Sequence, residues 1–214
     1  MNKTRIARHM IHFSLLCTLL MIAARVAFTG NMYGLFLVWN LFLAWVPFAV
    51  SIALCTKVNV KAWIQYLLFA LWLLFFPNAP YIITDFFHLI ERPPVPLWYD
   101  LIIMFLASWN GLLLGLISLF YVEQFLQTKF NTRMVNQIVY TCMILCAFGV
   151  YAGRYLRWNS WDIILGPGEI FNDVKHIALN PEDNLRTWGV TFFFSLLMIS
   201  CYLTIKKLKQ SFQP

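Results

Sequence analysis

Charged residues are scarce in this chain. Only 12% of its 214 residues are Asp, Glu, Lys or Arg, while 61% are hydrophobic. Soluble domains carry about 25% charged residues. A single core buries only part of each helix, so a soluble fold of this length cannot hide so much apolar surface. The composition therefore excludes an ordinary soluble domain and predicts a chain whose apolar surface faces lipid.

Familiar catalytic motifs are also missing. The chain contains no phosphate-binding glycine loop, no H-E-x-x-H motif and no G-x-S-x-G motif. Asn78-Ala79-Pro80 differs from the Asn-Pro-Ala of water channels and occurs once. The cysteines all lie inside apolar runs or at their inner boundary, so no disulfide framework is implied. They are Cys17, Cys55, Cys142, Cys146 and Cys201.

Long apolar runs dominate what is present. A membrane span needs about 20 mostly apolar residues, and six segments qualify. They are roughly 9–28, 32–54, 62–84, 98–121, 134–153 and 181–205. The sequence therefore predicts an all-α, polytopic integral membrane helical bundle with about six transmembrane helices, forming a single domain over 1–214. The first run is long, contains Arg25 and lacks a clear cleavage site, so we expect a retained span and not a cleaved leader. For the last span, Asn180 as cap and Pro181 as first helical residue predict the start.

The placement of charge predicts the orientation. With the N-terminus inside, the inner side carries ten basic residues and one acid, and the outer side carries six basic residues and eight acids. The inner basic residues are Lys3, Arg5, Arg8, Lys57, Lys61, Lys129, Arg133, Lys206, Lys207 and Lys209. This excess favours cytoplasmic N- and C-termini and outer loops at 85–97 and 154–180. The net charge of +7 is thus explained by topology, and no nucleic-acid partner is expected.

The second outer loop contains a further helical pattern. Its apolar residues Ile170, Phe171, Val174, Ile177 and Ala178 follow helical spacing after a Gly-Pro-Gly turn. This pattern predicts a short amphipathic helix on the outer membrane surface.

The third span is interrupted at membrane depth. Pro77 lies about 22 Å beyond Ala62 at about 1.5 Å per residue. Pro77 and Pro80 each lack an N–H and clash with the preceding turn, so the helix must kink or break there. Broken helices at this depth often line binding sites. The alternative is a packing kink in which Asn78 caps the freed backbone groups.

Polar residues then follow this break at intervals of 3, 4 and 3, at Asn78, Tyr81, Asp85 and His88. On a helix they form one stripe, which we expect to face the bundle because a carboxylate near the bilayer edge is costly unless paired or hydrated. Arg25, in the first span, either snorkels outward or pairs with Asp85 or Asp100.

Two arginines three residues apart follow the fifth span. Arg154 and Arg157 can grip a phosphate or carboxylate on the outer face. They can equally serve as interfacial anchors beside Trp158 and Trp161, with Asp162 neutralising one of them.

Two Asp-x-x-His pairs are candidates for a metal site. They are Asp85 with His88 and Asp173 with His176. Together they offer two carboxylates and two imidazoles. However, a surface helix would hold His176 far from His88, and spacing alone is weak evidence. We therefore expect neither a metal nor a cofactor.

The polar residues in the outer halves of several spans predict a vestibule that opens outward and binds a ligand. Its predicted members are Asn78, Tyr81, Asp85, His88, Asp100, Arg154, Arg157, Asn159 and Asp162, with Arg25 and Asn40 as additional candidates. Three functions remain open. One is binding or transport of a small polar, anionic or lipid-linked ligand. The second is an enzyme acting on a lipid-linked or envelope substrate, with Asp85 or His88 as acid or base. The third is a scaffold without chemistry. The lipid bilayer is the one predicted partner besides this ligand, and the sequence identifies neither partner proteins nor the oligomeric state.

Four segments together resemble a known family. They are Asn40 to Pro47, Phe76 to Tyr81 with Asp85 and His88, Trp98-Tyr99-Asp100, and Gly153 to Asp162. This combination is similar to the domain-of-unknown-function family 1361, a group of bacterial multi-pass membrane proteins. The resemblance covers most of the chain and implies a location in a bacterial plasma membrane. It implies no activity and supplies no catalytic residues.

Overall fold

The computed structural model describes residues 3–56 and 61–211. The predicted inner residue Lys57 therefore lies outside the described residues. The α-helices of the described part are α1 (Lys3–Thr29), α2 (Leu35–Thr56), α3 (Ala62–Phe75), α4 (Asn78–Tyr81), α5 (Leu97–Gln127), α6 (Thr132–Tyr151), α7 (Asp162–Leu165), α8 (Pro167–Leu179) and α9 (Leu185–Ser211). A 3₁₀ segment, Ile82–His88, continues α4, and a π-helical turn, Ala152–Leu156, continues α6.

Six segments within residues 3–56 and 61–211 are long and apolar enough to cross a membrane. They are Met10–Thr29, Leu35–Thr56, Ala62–His88, Leu97–Gln127, Thr132–Leu156 and Leu185–Leu208. A helix satisfies its own backbone hydrogen bonds, and this is required in a membrane because lipid tails offer no hydrogen-bonding partners. Large apolar side chains cover the outside of the bundle, among them Phe13, Trp63 and Phe193. The predicted all-α membrane bundle of about six spans is confirmed.

The last span begins later than the sequence predicts. Asn180 and Pro181 are not its cap and first residue, because 181–184 form a turn and α9 begins at Leu185. In this turn the backbone N–H of Asn184 donates to the carbonyl of Pro181 (3.2 Å), and its side-chain amide donates to the carbonyl of Asn180 (2.8 Å). Such local side-chain bonds compete with helix formation, which explains the wrong boundary.

The predicted break in the third span is present at Pro77, between α3 and α4. The predicted outer loop, however, does not begin at residue 85, because the 3₁₀ segment extends to His88. Pro77 and Pro80 remove two N–H donors from the α-helical ladder. Beyond them the chain tightens into a 3₁₀ helix, in which Thr84 also donates its hydroxyl to the carbonyl of Tyr81 at 2.6 Å.

Glycines allow the interrupted segment to lie deep between α5 and α6. A Cβ on Gly111 would lie 2.6 Å from the carbonyl oxygen of Ala79, and one on Gly115 would lie 2.8 Å from the Cβ of Ala79. On α6, a Cβ on Gly149 would overlap the ring of Pro77. These close approaches require glycine, and they hold the interrupted segment against α5 and α6.

Helix α5 is the central element. It packs against α2 along most of its length and also contacts α1, α4, the 3₁₀ segment, α6 and α9, while α6 packs mainly against α9. One core cluster surrounds Trp72, Leu119 and Met143. A second cluster surrounds Ala44 and Met104, so α5 contributes to both.

Two hydrogen bonds tie loop residues to helical elements at the same end of the bundle. At one end the Tyr33 hydroxyl donates to the carbonyl of His88 (3.3 Å), and the Ser160 hydroxyl donates to the carbonyl of Leu74 (3.2 Å). We call this the long-loop end; it carries residues 30–34, 89–96 and 157–184. Helix α8, the predicted amphipathic helix, is confirmed as a helix there.

Candidate functional site

The polar stripe of the third span meets Arg154 at the long-loop end. Nη2 of Arg154 lies 2.6 Å from Oδ1 of Asp85, and its Nε donates to the hydroxyl of Thr84 at 2.8 Å. Its Nη1 lies 2.8 Å from Nε2 of His88. A guanidinium has no acceptor, so this contact assigns the ring proton of His88 to Nδ1. The π-helical turn after α6 brings the arginine to these three partners.

Helix α2 completes the environment of Asp85. The side-chain amide of Asn40 donates to Oδ2 of Asp85 at 2.8 Å, so both carboxylate oxygens are bonded. The carboxylate is buried, with 4% of its side chain exposed against 13% for Arg154. A buried charge is tolerated when it is paired and its remaining lone pairs are bonded. Asp85 therefore organises three elements, namely α2, the 3₁₀ segment and the π-helical turn.

Tyr81 lies directly beneath this ion pair. The Arg154 guanidinium is 4.8 Å from the centre of the Tyr81 ring, which is a cation–π distance. A Cβ on Gly153 would lie 3.2 Å from the same ring. Gly153 therefore lets the π-helical turn approach the third span closely enough for Arg154 to reach Asp85.

A second ion pair joins α1 to α5. Nε and Nη2 of Arg25 donate to the two carboxylate oxygens of Asp100 at 2.5 and 3.0 Å, and both side chains are 3% exposed. Of the two partners that the sequence left open for Arg25, the structure brings it to Asp100 and not to Asp85. Asp100 is thus occupied by Arg25 and does not line either cavity described below.

The ring of Tyr33 lies between two arginines. Arg25 is 4.6 Å from its centre, and Arg92 is 3.8 Å from it. Arg92 also donates to the carbonyl oxygens of His88 and Ile90 at 3.1–3.3 Å. Burial raises the pKa of Tyr33, and the Tyr33 hydroxyl donates to the backbone carbonyl of His88.

These side chains surround a polar cavity of about 440 Å³. It opens at the long-loop end, and every lining residue except Phe36 carries a polar or charged group. Its lining is Tyr33, Phe36, Asn40, Tyr81, Asp85, His88, Arg92 and Arg154.

A larger and mostly apolar groove lies beside the polar cavity. It measures about 830 Å³ and is bounded by α2, α3, α6 and the segment 157–163. Leu67, Leu71 and Leu145 line its membrane-facing part and are exposed. Asn40 and Tyr81 line both the groove and the polar cavity, so these two residues form the shared wall.

The long-loop end of the groove is closed by a loop that is tied to the helix break. The side-chain amide of Asn78 donates to the carbonyl of Phe75 and to the hydroxyl of Ser160, each at 3.0 Å. The backbone N–H and the side-chain amide of Asn159 both donate to Oδ2 of Asp162, at 2.7 and 3.1 Å. Asn78 therefore caps the freed carbonyl, as the packing alternative predicted, and also holds the loop.

The predicted ligand-binding residues separate into two groups, those that line a cavity and those that do not. Asn78, Tyr81, Asp85, His88, Arg154, Arg157 and Asn159 line one or both cavities. Asp100 is occupied by Arg25, and Asp162 is occupied by Asn159 and lines neither cavity. Asp162 does not neutralise Arg154 or Arg157, since the ion pairs between described residues do not include it.

The two Asp-x-x-His pairs do not come together. No group of three or more His, Cys, Asp or Glu side chains suited to a metal occurs in the part of the chain that the structure describes. Asp85 and His88 belong to the polar cavity, whereas Asp173 and His176 are exposed on α8.

Sequence reasoning missed several contributors. Thr84 and Ser160 were not predicted, because a hydroxyl residue by itself indicates no site. Tyr33 and Arg92 were not predicted, because the connections in which they lie contain no motif. Glu123 was predicted only as the one acidic residue on the inner side. In fact Glu123 is buried, and it accepts from Lys206 at 2.6 Å and from the hydroxyl of Tyr202 at 2.8 Å. Spacing on one helix gives no signal for such contacts, because each partner lies on another element.

The fold and these cavities define a multi-pass α-helical membrane protein with a polar cluster at one end of its bundle. The chain belongs to the family described as "Protein of unknown function (DUF1361)", which it matches over residues 39–201. The matched region includes the residues of this polar cluster, namely Asn40, Tyr81, Thr84, Asp85, His88 and Arg154. No curated protein and no solved structure matches the chain.

Proposed function

We propose that this protein holds a lipid-linked amphiphile from the extracytoplasmic leaflet of a bacterial plasma membrane. The hydrocarbon chain occupies the apolar groove, and the polar part lies at the long-loop end. One observation carries this proposal. The groove of about 830 Å³ shares Asn40 and Tyr81 with a polar cavity of about 440 Å³. An apolar space next to a polar one is complementary to an amphiphile.

The size and lining of the groove support this reading. Small-molecule sites measure about 300–1,000 Å³ and have mostly apolar walls with a few polar groups. The groove falls in this range, and leucines of α3 and α6 line its membrane-facing side. A scaffold without chemistry would need no such space, so the cavities favour a ligand.

The orientation is part of the same proposal. Ten basic residues fall on the short-loop side of the predicted spans and six on the long-loop side. The positive-inside rule then places the long-loop end outside and both termini in the cytoplasm. The ligand accordingly enters from the outer leaflet.

An enzyme acting on a lipid-linked substrate is the second candidate. The exposed ring of His88 in the polar cavity favours it, since a histidine can donate or accept a proton near neutral pH. Asp85 is less suited to a general base, because Asn40 and Arg154 occupy both its oxygens. We therefore place binding ahead of catalysis.

A substitution that fills the groove tests the proposal. Ala70 lines the groove and is exposed, so Ala70→Trp fills the space without overpacking the core. Ala24→Trp is the matched control, because Ala24 is exposed on α1 and lines neither cavity. The measurement is native mass spectrometry of the detergent-purified proteins, which counts the lipids that remain bound.

We expect a lipid adduct on the wild type and on Ala24→Trp, and its loss on Ala70→Trp with an unchanged melting temperature. Equal retention by all three proteins would contradict a ligand site in the groove. Conversion of a lipid-linked substrate by the wild type, and its loss in His88→Ala with the adduct still present, would favour the enzyme.

A further inference from the structure

The arginines at the long-loop end are not equivalent. Arg25 and Arg154 each pair with a buried carboxylate, Asp100 and Asp85 respectively. Arg92 stacks on Tyr33 and donates to backbone carbonyls. Arg157 differs from all three. It is exposed, it lines the apolar groove, and its guanidinium has no hydrogen-bonding or ion-pair partner among the described residues.

Within the groove, this cation is not balanced. Asp and Glu do not occur among the lining residues, and Arg157 is the one charged side chain in that set. The other polar lining groups at this end are amides and hydroxyls, on Asn40, Asn78, Asn159 and Ser160. An uncompensated guanidinium beside apolar surface attracts an anion more strongly than one in open water, because the local dielectric is low. Its planar fork matches phosphate and carboxylate.

The backbone at Arg157 is held by its surroundings. Arg157 adopts a left-handed backbone conformation with φ of 59°, which costs about 1–2 kcal/mol for a residue with a Cβ. On one side the backbone N–H of Trp158 donates to the carbonyl of Ala152 at 3.2 Å. On the other side Asp162 accepts from Asn159. The unusual conformation is therefore held by both flanks of the loop, and it places the side chain at the end of the groove.

We propose that the amphiphile is an anionic lipid, whose phosphate or carboxylate headgroup is bound by Arg157 while its chain lies in the groove. This inference rests on the proposed function and adds the charge class of the ligand. Each of the three guanidinium nitrogens of Arg154 already has a partner, in Thr84, His88 or Asp85. Arg154 is therefore a positioning residue of the cavity wall and does not bind the headgroup.

The test compares two lipids with the same chains and different headgroups. Phosphatidic acid carries a phosphate, and diacylglycerol lacks it. Each is titrated into detergent-purified protein, and binding is read by native mass spectrometry. The variants are Arg157→Gln and Arg157→Gly. Lys175→Gln is the matched control, because Lys175 is exposed on α8 and does not line the groove.

We expect the wild type and Lys175→Gln to bind phosphatidic acid more tightly than diacylglycerol. Loss of a charge-assisted hydrogen bond should weaken binding of phosphatidic acid to Arg157→Gln about tenfold or more, with diacylglycerol unaffected. Arg157→Gly relieves the left-handed backbone, so it should fold at least as well as the wild type and show the same loss. This pairing separates a binding defect from a folding defect.

Other outcomes overturn the inference in distinguishable ways. Equal binding of both lipids to the wild type, or equal losses in Arg157→Gln and Lys175→Gln, would make Arg157 an interfacial anchor and leave the groove proposal intact. Arg157-dependent binding of inorganic phosphate as tight as that of phosphatidic acid would remove the lipid from the inference. Failure of the wild type to bind either lipid would overturn the proposed function as well.

Discussion

Breaking the ion pair between Arg25 and Asp100 should be among the most damaging single changes in the bundle. Asp100→Leu leaves the Arg25 guanidinium in a site where only 3% of its side chain is exposed. Removing one partner of a buried pair costs about 3–5 kcal/mol. At about 2–4 °C per kcal/mol for a chain of this size, the melting temperature should fall by roughly 6–20 °C. Arg25→Met should cost a similar amount, because it leaves the carboxylate unpaired.

The double variant Arg25→Met with Asp100→Leu should recover most of this loss. Apolar residues of similar volume can replace a buried pair at little cost. One expense remains, because the carbonyl oxygen of Tyr33 loses its 3.3 Å donor from Arg25, worth about 1 kcal/mol. The two single variants should therefore be strongly non-additive in a double-mutant cycle.

The assay is thermal unfolding in one detergent, followed by tryptophan fluorescence. Arg186→Met is the control, since Arg186 is exposed and contacts only the ring of Tyr155 among the described partners; its change should stay within about 0.5 kcal/mol. Single variants that melt within about 2 °C of the wild type, or a double variant as unstable as the sum of the two, would refute the reasoning.

Three further changes test the packing in the same assay. Gly111→Ala places a Cβ 2.6 Å from a backbone oxygen of α4 and should lower the stability by about 1–3 kcal/mol. The control Gly189→Ala meets nothing within 4 Å, so the stability should stay the same or rise by up to about 1 kcal/mol. A larger loss in Gly189→Ala than in Gly111→Ala would contradict the close approach. Lys206→Met should destabilise the protein more than Glu123→Gln. Lys206→Met leaves the more buried Glu123 carboxylate unpaired, whereas Glu123→Gln leaves Lys206, which is 31% exposed and can still reach water. Equal losses of stability would contradict the described burial. Asn131→Ala removes the oxygen that accepts a hydrogen bond from the backbone N–H of Met134 in the first turn of α6, and it should cost about 1 kcal/mol. No measurable change would show that this cap is dispensable.

The fold could be predicted largely because a membrane simplifies the problem. Long apolar runs must be helical in lipid, and two prolines at membrane depth must interrupt a helix. The break at Pro77 and the helix over 167–179 followed from local rules of this kind. Element ends were predicted less well. Because of the local hydrogen bonds of Asn184, α9 begins at Leu185 and not at Pro181. The 3₁₀ segment extends the third span to His88.

The candidate site could be predicted only in part. The spacing of Asn78, Tyr81, Asp85 and His88 indicated one polar face, because these residues lie on one element. The partners of that face lie on other helices, and sequence spacing does not encode distances between helices. Asp100 was therefore grouped with the vestibule although Arg25 occupies it, and the groove was not foreseen, since cavities arise from how helices pack.

Site-specific photo-cross-linking tests the central claim most directly. A lipid with a diazirine near the end of its chain is added at low mole fraction to bacterial membrane vesicles that contain the protein, and cross-linked peptides are mapped. We predict preferential labelling of the groove residues Leu71 and Leu145 over Leu20 of α1, which is more exposed than either, and loss of this preference in Ala70→Trp. Uniform labelling of the three leucines in the wild type would contradict a lipid-binding groove.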